Sequence, residues 1–179
     1  MKRYIALLRG VNISGKNRVP MPELKAGLAE LGYGDVCTYL NSGNVVFTAP
    51  EAAGTVLAEQ IRALIRAAFG LEIPVLVLAQ QELQALLEQA PAWWGTPGAE
   101  TYHNLIFVLP GACAGSIAET IGPPTEGLER IRLCGNAIFW SFDRKRYARA
   151  NWWKKTAGAG VGELLTIRTA NPLKKIAGM

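Results

Sequence analysis

The sequence has little of what metal sites, disulfide frameworks and membrane anchors require. It contains one histidine, His103, and three widely separated cysteines, Cys37, Cys113 and Cys134. An odd number of distant cysteines favours reduced thiols over a disulfide framework or a zinc site. No apolar run approaches the ~18–20 residues that span a bilayer, and Arg9 interrupts the N-terminus before a signal peptide can form. We therefore expect a cytoplasmic protein without a metal ion or membrane association.

Catalytic motifs are also scarce. No pair of carboxylates has a spacing typical of acid–base catalysis. His103 lies between Tyr102 and Asn104, and no motif places a nucleophile for it. An isolated histidine of this kind is more often a hydrogen-bonded structural residue than a catalyst. The sequence therefore predicts no cofactor and leaves open whether the protein is an enzyme.

Half of the 179 residues are hydrophobic and 18% are charged, which excludes a disordered chain and permits one domain or two small ones. The charge is uneven along the chain. Residues 1–142 hold 10 Lys+Arg and 12 Asp+Glu, a net of −2, whereas residues 143–179 hold 9 and 2, a net of +7. We expect the C-terminal segment either to attract anions or to form a solvated basic face.

Hydrophobic periodicity and turn residues predict the element order β-α-β-β-α-β twice in succession. The strands are predicted at residues 4–8, 36–39, 45–48, 73–78, 105–109, 131–133, 138–140 and 164–169. The helices within the two passes are predicted at residues 21–31, 53–69, 116–121 and 147–156. This order is typical of the split βαβ, or ferredoxin-like, unit.

The predicted fold class is therefore α+β, a tandem duplication of a ferredoxin-like unit (an alpha-beta plait) with the two halves packed together. The N-terminal subdomain is predicted at residues 1–79, a helix and linker at 80–101, and the C-terminal subdomain with a short terminal helix at 102–179. The strands at 73–78 and 105–109 are apolar throughout, which predicts sheets covered on both faces. Such coverage argues against base stacking on an open sheet.

The topology brings two polar segments together. The first and third strands of a split βαβ sheet are adjacent and antiparallel, so residues 9–18 after the first strand should lie beside residues 40–44 before the third. Residues 70–72, before the fourth strand, should lie at the same end. The polar and glycine residues expected to converge there are Arg9, Asn12, Gly15, Lys16, Asn17, Arg18, Asn41, Ser42, Gly43 and Asn44.

This set of residues suits an oxyanion or a phosphate group. Three of its members are cations, the amides and the hydroxyl supply directional hydrogen bonds, and the glycines leave backbone N–H groups accessible. It holds no histidine, cysteine or aspartate, so it makes a poor metal site and a poor general base. The alternative is that the asparagines and the serine only satisfy turn backbones while glycine supplies positive φ.

Residues 10–16 also fit the phosphate-loop pattern G-x-x-x-x-G-K. The next residue is Asn17, where that motif needs a serine or threonine for magnesium. The following helix is predicted to begin only near Pro20, too late for its N-terminus to hold the phosphates. We interpret the match as coincidental.

These motifs resemble a known family. The segments RGVNISGKNRVPMPEL at residues 9–24 and YLNSGNVVF at residues 39–47 are similar to the bacterial family called domain of unknown function 1697. The resemblance continues through TIRTANPLKKI at residues 166–176, where Thr169 and Ala170 replace the usual Asn-Trp pair. It implies a pair of ferredoxin-like subdomains and no established activity.

The C-terminal segment interleaves cations with aromatic residues, a mixture that can neutralise phosphates and stack bases. On a helix Trp152 and Trp153 point about 100° apart, so at most one should face solvent. The alternative is one tryptophan in the core with lysines in water. The cations assigned to this secondary basic surface are Arg149, Lys154, Lys155, Arg168 and Lys174.

Three function classes follow. The first is a binding protein for an anionic ligand, either nucleic acid or a phosphorylated small molecule, at residues 9–18 and 40–44. The second is an enzyme for a small phosphorylated or carboxylated substrate in a cleft between the halves. The third is a protein-interaction module that dimerises through a sheet face.

Overall fold

The computed structural model describes residues 1–158 and 160–179. The chain forms two compact units, Met1–Ala85 with Lys175–Met179, and Leu86–Lys174. The second unit therefore begins inside the segment predicted as a linker, and the last five residues return to the first unit. No helix among the described residues combines the length and the apolar character needed to cross a membrane.

The first unit contains a four-stranded antiparallel sheet with strand order β2-β3-β1-β4. Its strands and helices are β1 (Lys2–Leu8), α1 (Met21–Glu30), β2 (Gly34–Tyr39), β3 (Asn44–Ala49), α2 (Gly54–Phe69) and β4 (Val75–Ala79). The next helix, α3 (Gln80–Glu88), begins in the first unit and ends in the second. Pro22 lies in the first turn of α1, where its missing N–H leaves no helical hydrogen bond unmade. Gly70 ends α2 in the left-handed conformation, with φ +66°.

The hydrophobic core of the first unit lies between the sheet and the two long helices. Leu24 and Leu28 of α1 and Ile61 and Ile65 of α2 are fully buried, at the helical spacing expected for core-facing positions. Phe47 at the centre of β3 is also fully buried. The amphipathic pattern read from the sequence thus fixes which helix faces contact the sheet.

The second unit repeats this arrangement with strand order β6-β7-β5-β8. Its elements are β5 (Thr101–Val108), α4 (Ala114–Ile121), β6 (Glu129–Cys134), β7 (Ala137–Asp143), α5 (Asn151–Thr156) and β8 (Leu165–Thr169). The last helix, α6 (Ala170–Ala177), begins in the second unit and ends in the first. Two four-stranded antiparallel sheets, each with its own helices, confirm the predicted α+β fold and its tandem duplication.

The helix predicted over residues 147–156 is not continuous. Tyr147–Arg149 forms one turn of 3₁₀ helix, Ala150 is extended with ψ 130°, and α5 begins only at Asn151. The Asp143 carboxylate accepts the backbone N–H groups of Lys145 and Arg146, which holds the chain in a turn after β7. This local capping shortens α5 to six residues, whereas α2 has sixteen.

The apolar strands are buried to different degrees. In β5 every residue from Asn104 to Val108 is buried, as predicted for a strand covered on both faces. In β4, buried residues alternate with the half-buried Leu76 and Leu78. The predicted coverage of both faces is therefore complete in β5, whereas the second face of β4 is only partly covered.

Candidate functional site

The structure brings the loop after β1 and the turn before β3 together at one end of the first sheet. The backbone N–H of Leu8 donates to the carbonyl of Gly43 at 2.8 Å, and Nδ2 of Asn12 donates to the carbonyl of Asn41 at 2.8 Å. The N–H of Arg9 donates to the carbonyl of Pro74, just before β4, at 2.9 Å. We call residues 9–18 and 40–44 the rim.

The loop half of the rim is closed by hydrogen bonds of its own. The N–H of Asn12 donates to the Asn17 carbonyl at 3.0 Å, and the N–H of Lys16 donates to the Ile13 carbonyl at 2.9 Å. Nδ2 of Asn17 donates to the Gly10 carbonyl at 3.0 Å. A long polar loop that makes these bonds holds a defined shape, because the bonds join its outgoing and returning segments to each other.

Asn12 joins the two halves of the rim to the body of the unit. Its Oδ1 accepts the N–H of Val19 and its Nδ2 donates to the Val19 carbonyl, both at 2.9 Å. The same Nδ2 reaches the carbonyl of Asn41. The residue adopts φ +55°, a conformation that asparagine tolerates better than most residues do. The Asn12 side chain therefore holds the loop in place, and its amide is not free to bind a ligand.

Gly43 is the position of the rim that most needs glycine. Its φ is +78°, and a Cβ built there would lie 2.6 Å from the Cβ of Leu8 and 2.8 Å from Cγ2 of Val11. Gly15 has a similar φ of +76° with nothing within 4 Å of the same atom. The turn therefore approaches the end of β1 closely, whereas the loop around Gly15 faces open space.

Several predicted ligand donors are instead used to build the rim. Asn44 is fully buried, and its Nδ2 donates to the Tyr39 carbonyl at 3.0 Å and to Ser42 Oγ at 2.9 Å. Gly43 is also buried. The alternative interpretation, in which these amides satisfy turn backbones, therefore describes Asn12, Asn17 and Asn44 better than ligand contact does.

The cations of the rim differ in their surroundings. Lys16 and Arg18 are exposed, and neither has a carboxylate within ion-pair distance among the described residues. Arg9, by contrast, is half-buried at the base of the loop. On α2 of the same unit, Arg62 pairs with Glu59 at 2.8 Å and Arg66 pairs with Glu72. Lys16 and Arg18 are thus the rim's uncompensated positive charges.

The predicted secondary basic surface requires one correction. Arg149, Lys154 and Lys155 are exposed as predicted, and Lys174 is exposed while its Nζ donates to the Gly95 carbonyl at 2.9 Å. Arg168 is buried, and burial lowers its pKa to about 10. Its Nη1 donates to Thr166 Oγ1 and to the Ile167 carbonyl, each at 3.0 Å. The assignment of Arg168 to the surface is therefore wrong.

Of the two adjacent tryptophans, one is buried and the other is exposed, as the helical geometry predicts. Trp152 is fully buried, and its Nε1 donates to the Gly122 carbonyl at 3.0 Å. Its backbone N–H donates to the buried carboxylate of Glu129 at 3.0 Å. Trp153 is 37% exposed. One tryptophan anchors α5 in the core while the other faces solvent beside the lysines.

The second unit contains a polar pocket that was not predicted from the sequence. Nδ1 of His103 lies 2.6 Å from Oγ of Ser141, its register partner on β7, and both line a pocket of about 410 Å³ with Arg130 and Asp143. Burial, and then the charge of Lys174, lower the pKa of His103. The strand register that pairs these residues could not be read from the isolated histidine.

The described residues contain neither a group placed to hold a metal ion nor a disulfide bond. No group of three or more histidine, cysteine, aspartate or glutamate side chains is placed to hold a metal ion there. All three cysteines are free thiols, and Cys113 is the exposed one. Hydrogen bonds with the Ser116 hydroxyl and backbone N–H lower the pKa of the Cys113 thiol.

Comparison with known proteins agrees with the fold. Among solved structures, the conserved bacterial protein SP0830 from Streptococcus pneumoniae matches with a TM-score of 0.84 at 28% sequence identity. The match covers 99% of this chain and 97% of that chain. No protein with a curated description matches significantly. A family profile described as "Protein of unknown function (DUF1697)" matches residues 1–139, well over half of the sequence, and the chain therefore belongs to the DUF1697 family.

Proposed function

We propose that the protein binds an anionic ligand, the phosphates of a nucleic acid or nucleotide, at the rim of its first unit. The observation that carries this proposal is a hydrogen-bonded loop and turn that present Lys16 and Arg18 without a carboxylate partner among the described residues. Uncompensated cations on an ordered loop favour phosphate contact, because little conformational entropy remains to be lost on binding.

The arrangement of the rim further favours phosphate over other ligands. The exposed loop carries left-handed residues at Ser14, Gly15 and Asn17, which turn the backbone sharply around the two cations. The amides of Asn12, Asn17 and Asn44 are occupied in holding the loop and the turn, so charge supplies most of the affinity and little base-specific hydrogen bonding is available. We therefore expect binding that depends on salt and depends weakly on sequence.

Fluorescence anisotropy with labelled oligonucleotides of roughly ten nucleotides tests the proposal. Wild type should bind at low salt and lose affinity between about 50 and 200 mM salt. The double variant Lys16→Ala and Arg18→Ala should bind more weakly, with a log–log salt slope shallower by about 1.4, because ~0.7 is lost per single-strand phosphate contact.

Lys25→Ala is the matched control. Lys25 is an exposed lysine on α1 of the same unit, outside the rim, so it removes a similar charge without touching the loop. Equal losses in Lys25→Ala and in the single variant Lys16→Ala would assign binding to net charge alone. Absence of binding by wild type at low salt would overturn the proposal.

An enzyme acting on a small anionic substrate is the second candidate, and the polar pocket of the second unit favours it. A neutral imidazole next to a hydroxyl is suited to accept a proton, and a lowered pKa keeps His103 neutral near pH 7. Arg130 in the same pocket could pair with a phosphate or a carboxylate. Screening with nitrophenyl phosphate and nitrophenyl ester substrates, with His103→Gln as the comparison, tests this candidate. Equal rates for wild type and variant would eliminate it.

A further inference from the structure

The short helix α5 leaves part of the second sheet open on its helix-bearing face. At ~1.5 Å per residue, a six-residue helix spans about 9 Å, whereas the sixteen residues of α2 at the corresponding place in the first unit span about 24 Å. The uncovered end forms a groove of about 470 Å³, within the usual range of ligand sites. We call it the aromatic groove, after the residues that line it, Tyr102, Trp140, Phe142, Tyr147 and Trp153.

The rings of the aromatic groove form a connected series. Tyr102 lies 5.3 Å from Phe142, Phe142 lies 5.4 Å from Trp153, and Trp153 lies 4.7 Å from Tyr147, measured between ring centroids. Tyr102, Tyr147 and Trp153 are 38%, 40% and 37% exposed. Three large aromatic side chains around one groove, each more than a third exposed, mark a surface suited to a ligand that contacts their rings.

Cations lie close in the chain to the aromatic residues of this groove. The guanidinium of Arg144 lies over the Tyr102 ring at 5.1 Å, and Arg149, Lys154 and Lys155 are exposed on the segment that carries Tyr147 and Trp153. Within the described residues, none of these four cations has a carboxylate at ion-pair distance. The groove therefore combines an apolar aromatic surface with excess positive charge.

We propose that the aromatic groove binds single-stranded nucleic acid by stacking bases on Trp153 and Tyr102 while the surrounding cations contact the phosphates. Stacking on aromatic rings and neutralisation by flanking cations are the two contributions that bind single strands without a sequence requirement. A duplex cannot use the groove in this way, because its bases are already stacked on each other. The inference shares with the proposed function only the ligand class, since its residues are separate from the rim.

An apolar protein partner fits the same groove less well. Interfaces between proteins are depleted of lysine at their centres. Here the exposed rings alternate along the chain with the four cations named above, which lack carboxylate partners among the described residues. The two cations between them, Lys145 and Arg146, pair with Glu100 and Asp143 and add no uncompensated charge. The charge pattern complements a phosphate backbone, and the rings complement the bases attached to it.

The first experiment compares two probes of equal backbone charge, an oligothymidine of roughly ten nucleotides and an abasic oligonucleotide of the same length. Oligothymidine should bind wild type more tightly than the abasic strand by roughly 5- to 100-fold, since each stacked base contributes that order of affinity. It should also quench tryptophan fluorescence. Equal affinities for the two probes would overturn the inference.

The second experiment uses variants of the groove. Trp153→Ala should reduce oligothymidine affinity by roughly 5- to 100-fold and leave abasic binding unchanged. Trp153→Phe should retain most of the affinity with less quenching, because a ring remains available for stacking. Leu133→Ala, which removes an apolar side chain of similar exposure (41%) from β6, is the control and should bind as wild type does.

The outcomes separate the two proposals. Loss of abasic binding in the Lys16 and Arg18 variant, with an unchanged preference for bases, would support both sites. A preference for oligothymidine that depends on Trp153, without any effect of the rim variants, would retain the groove and overturn the proposed function. A dimer in light scattering that Trp153→Ala dissociates would assign the groove to a second copy of the chain and overturn the inference.

Discussion

Asn12→Ala is expected to be the most destabilising single change in the rim. It removes the three hydrogen bonds through which Asn12 connects Val19 and Asn41 to the loop. Val19 is fully buried, so its N–H loses its acceptor without access to water, which costs about 1–3 kcal/mol. The carbonyl of Val19 also loses a donor, whereas the exposed Asn41 carbonyl can bond water.

Backbone strain adds to this loss. Asn12 has φ +55°, and holding alanine in the left-handed region costs roughly 1–2 kcal/mol more than it does for asparagine. Together these effects predict that Asn12→Ala lowers the free energy of unfolding by about 2–5 kcal/mol. Asn12→Gly removes the same hydrogen bonds but accepts the positive φ, so it should recover about 1 kcal/mol of that loss.

Urea unfolding followed by far-ultraviolet circular dichroism measures these differences. Asn17→Ala is the matched control, because Asn17 also has positive φ (+48°) but makes one exposed side-chain hydrogen bond, to Gly10. Its expected cost is about 1–2 kcal/mol. If Asn12→Ala proves no more destabilising than Asn17→Ala, the conclusion that Asn12 holds the two halves of the rim in place is refuted.

Three further predictions follow. Gly43→Ala should lower the free energy of unfolding, measured by thermal denaturation, by about 2–4 kcal/mol, against about 1 kcal/mol for Gly15→Ala, since of these two sites only Gly43 has no room for a Cβ. Cys113 should react with iodoacetamide at lower pH than an ordinary thiol, because hydrogen bonds from Ser116 lower its pKa. Ser116→Ala should slow the reaction near pH 7. An unchanged reaction rate in Ser116→Ala would refute the assigned hydrogen bond to the Ser116 hydroxyl. The imidazole of His103 should titrate below about 6.5 by NMR, because its pKa is lowered in the folded protein. The contribution of His103 to stability is therefore complete above that pH and is lost as the pH falls through the folded pKa. A titration midpoint at or above about 6.5 would contradict this prediction.

The order of strands and helices could be predicted because each element carries its own periodicity and stop signal. Gly70, for example, ends α2 where the apolar pattern ends. The proximity of the loop after β1 to the turn before β3 followed from the strand order of the split βαβ unit, without knowledge of any side-chain contact. Both are properties of local sequence combined with a known topology.

Properties that depend on register and packing could not be predicted in this way. Arg168 looks like a surface cation in the sequence, but it pairs with Leu105 in the register of β8 against β5 and is buried there. Asn12 looks like a ligand donor, yet its amide is used by Val19 and by the turn. The aromatic groove requires Tyr102 to lie opposite Phe142, which depends on the pairing of β5 with β7.

Phosphate contact at the rim is tested most directly by ¹⁵N NMR during titration with an abasic oligonucleotide. This probe carries backbone phosphates without bases, so it isolates the charge contribution that Lys16 and Arg18 are proposed to make. We expect amide shifts concentrated at residues 9–18 and 40–44 that weaken as salt is added. Shifts confined to residues elsewhere, with Lys16 and Arg18 unperturbed at low salt, would contradict it.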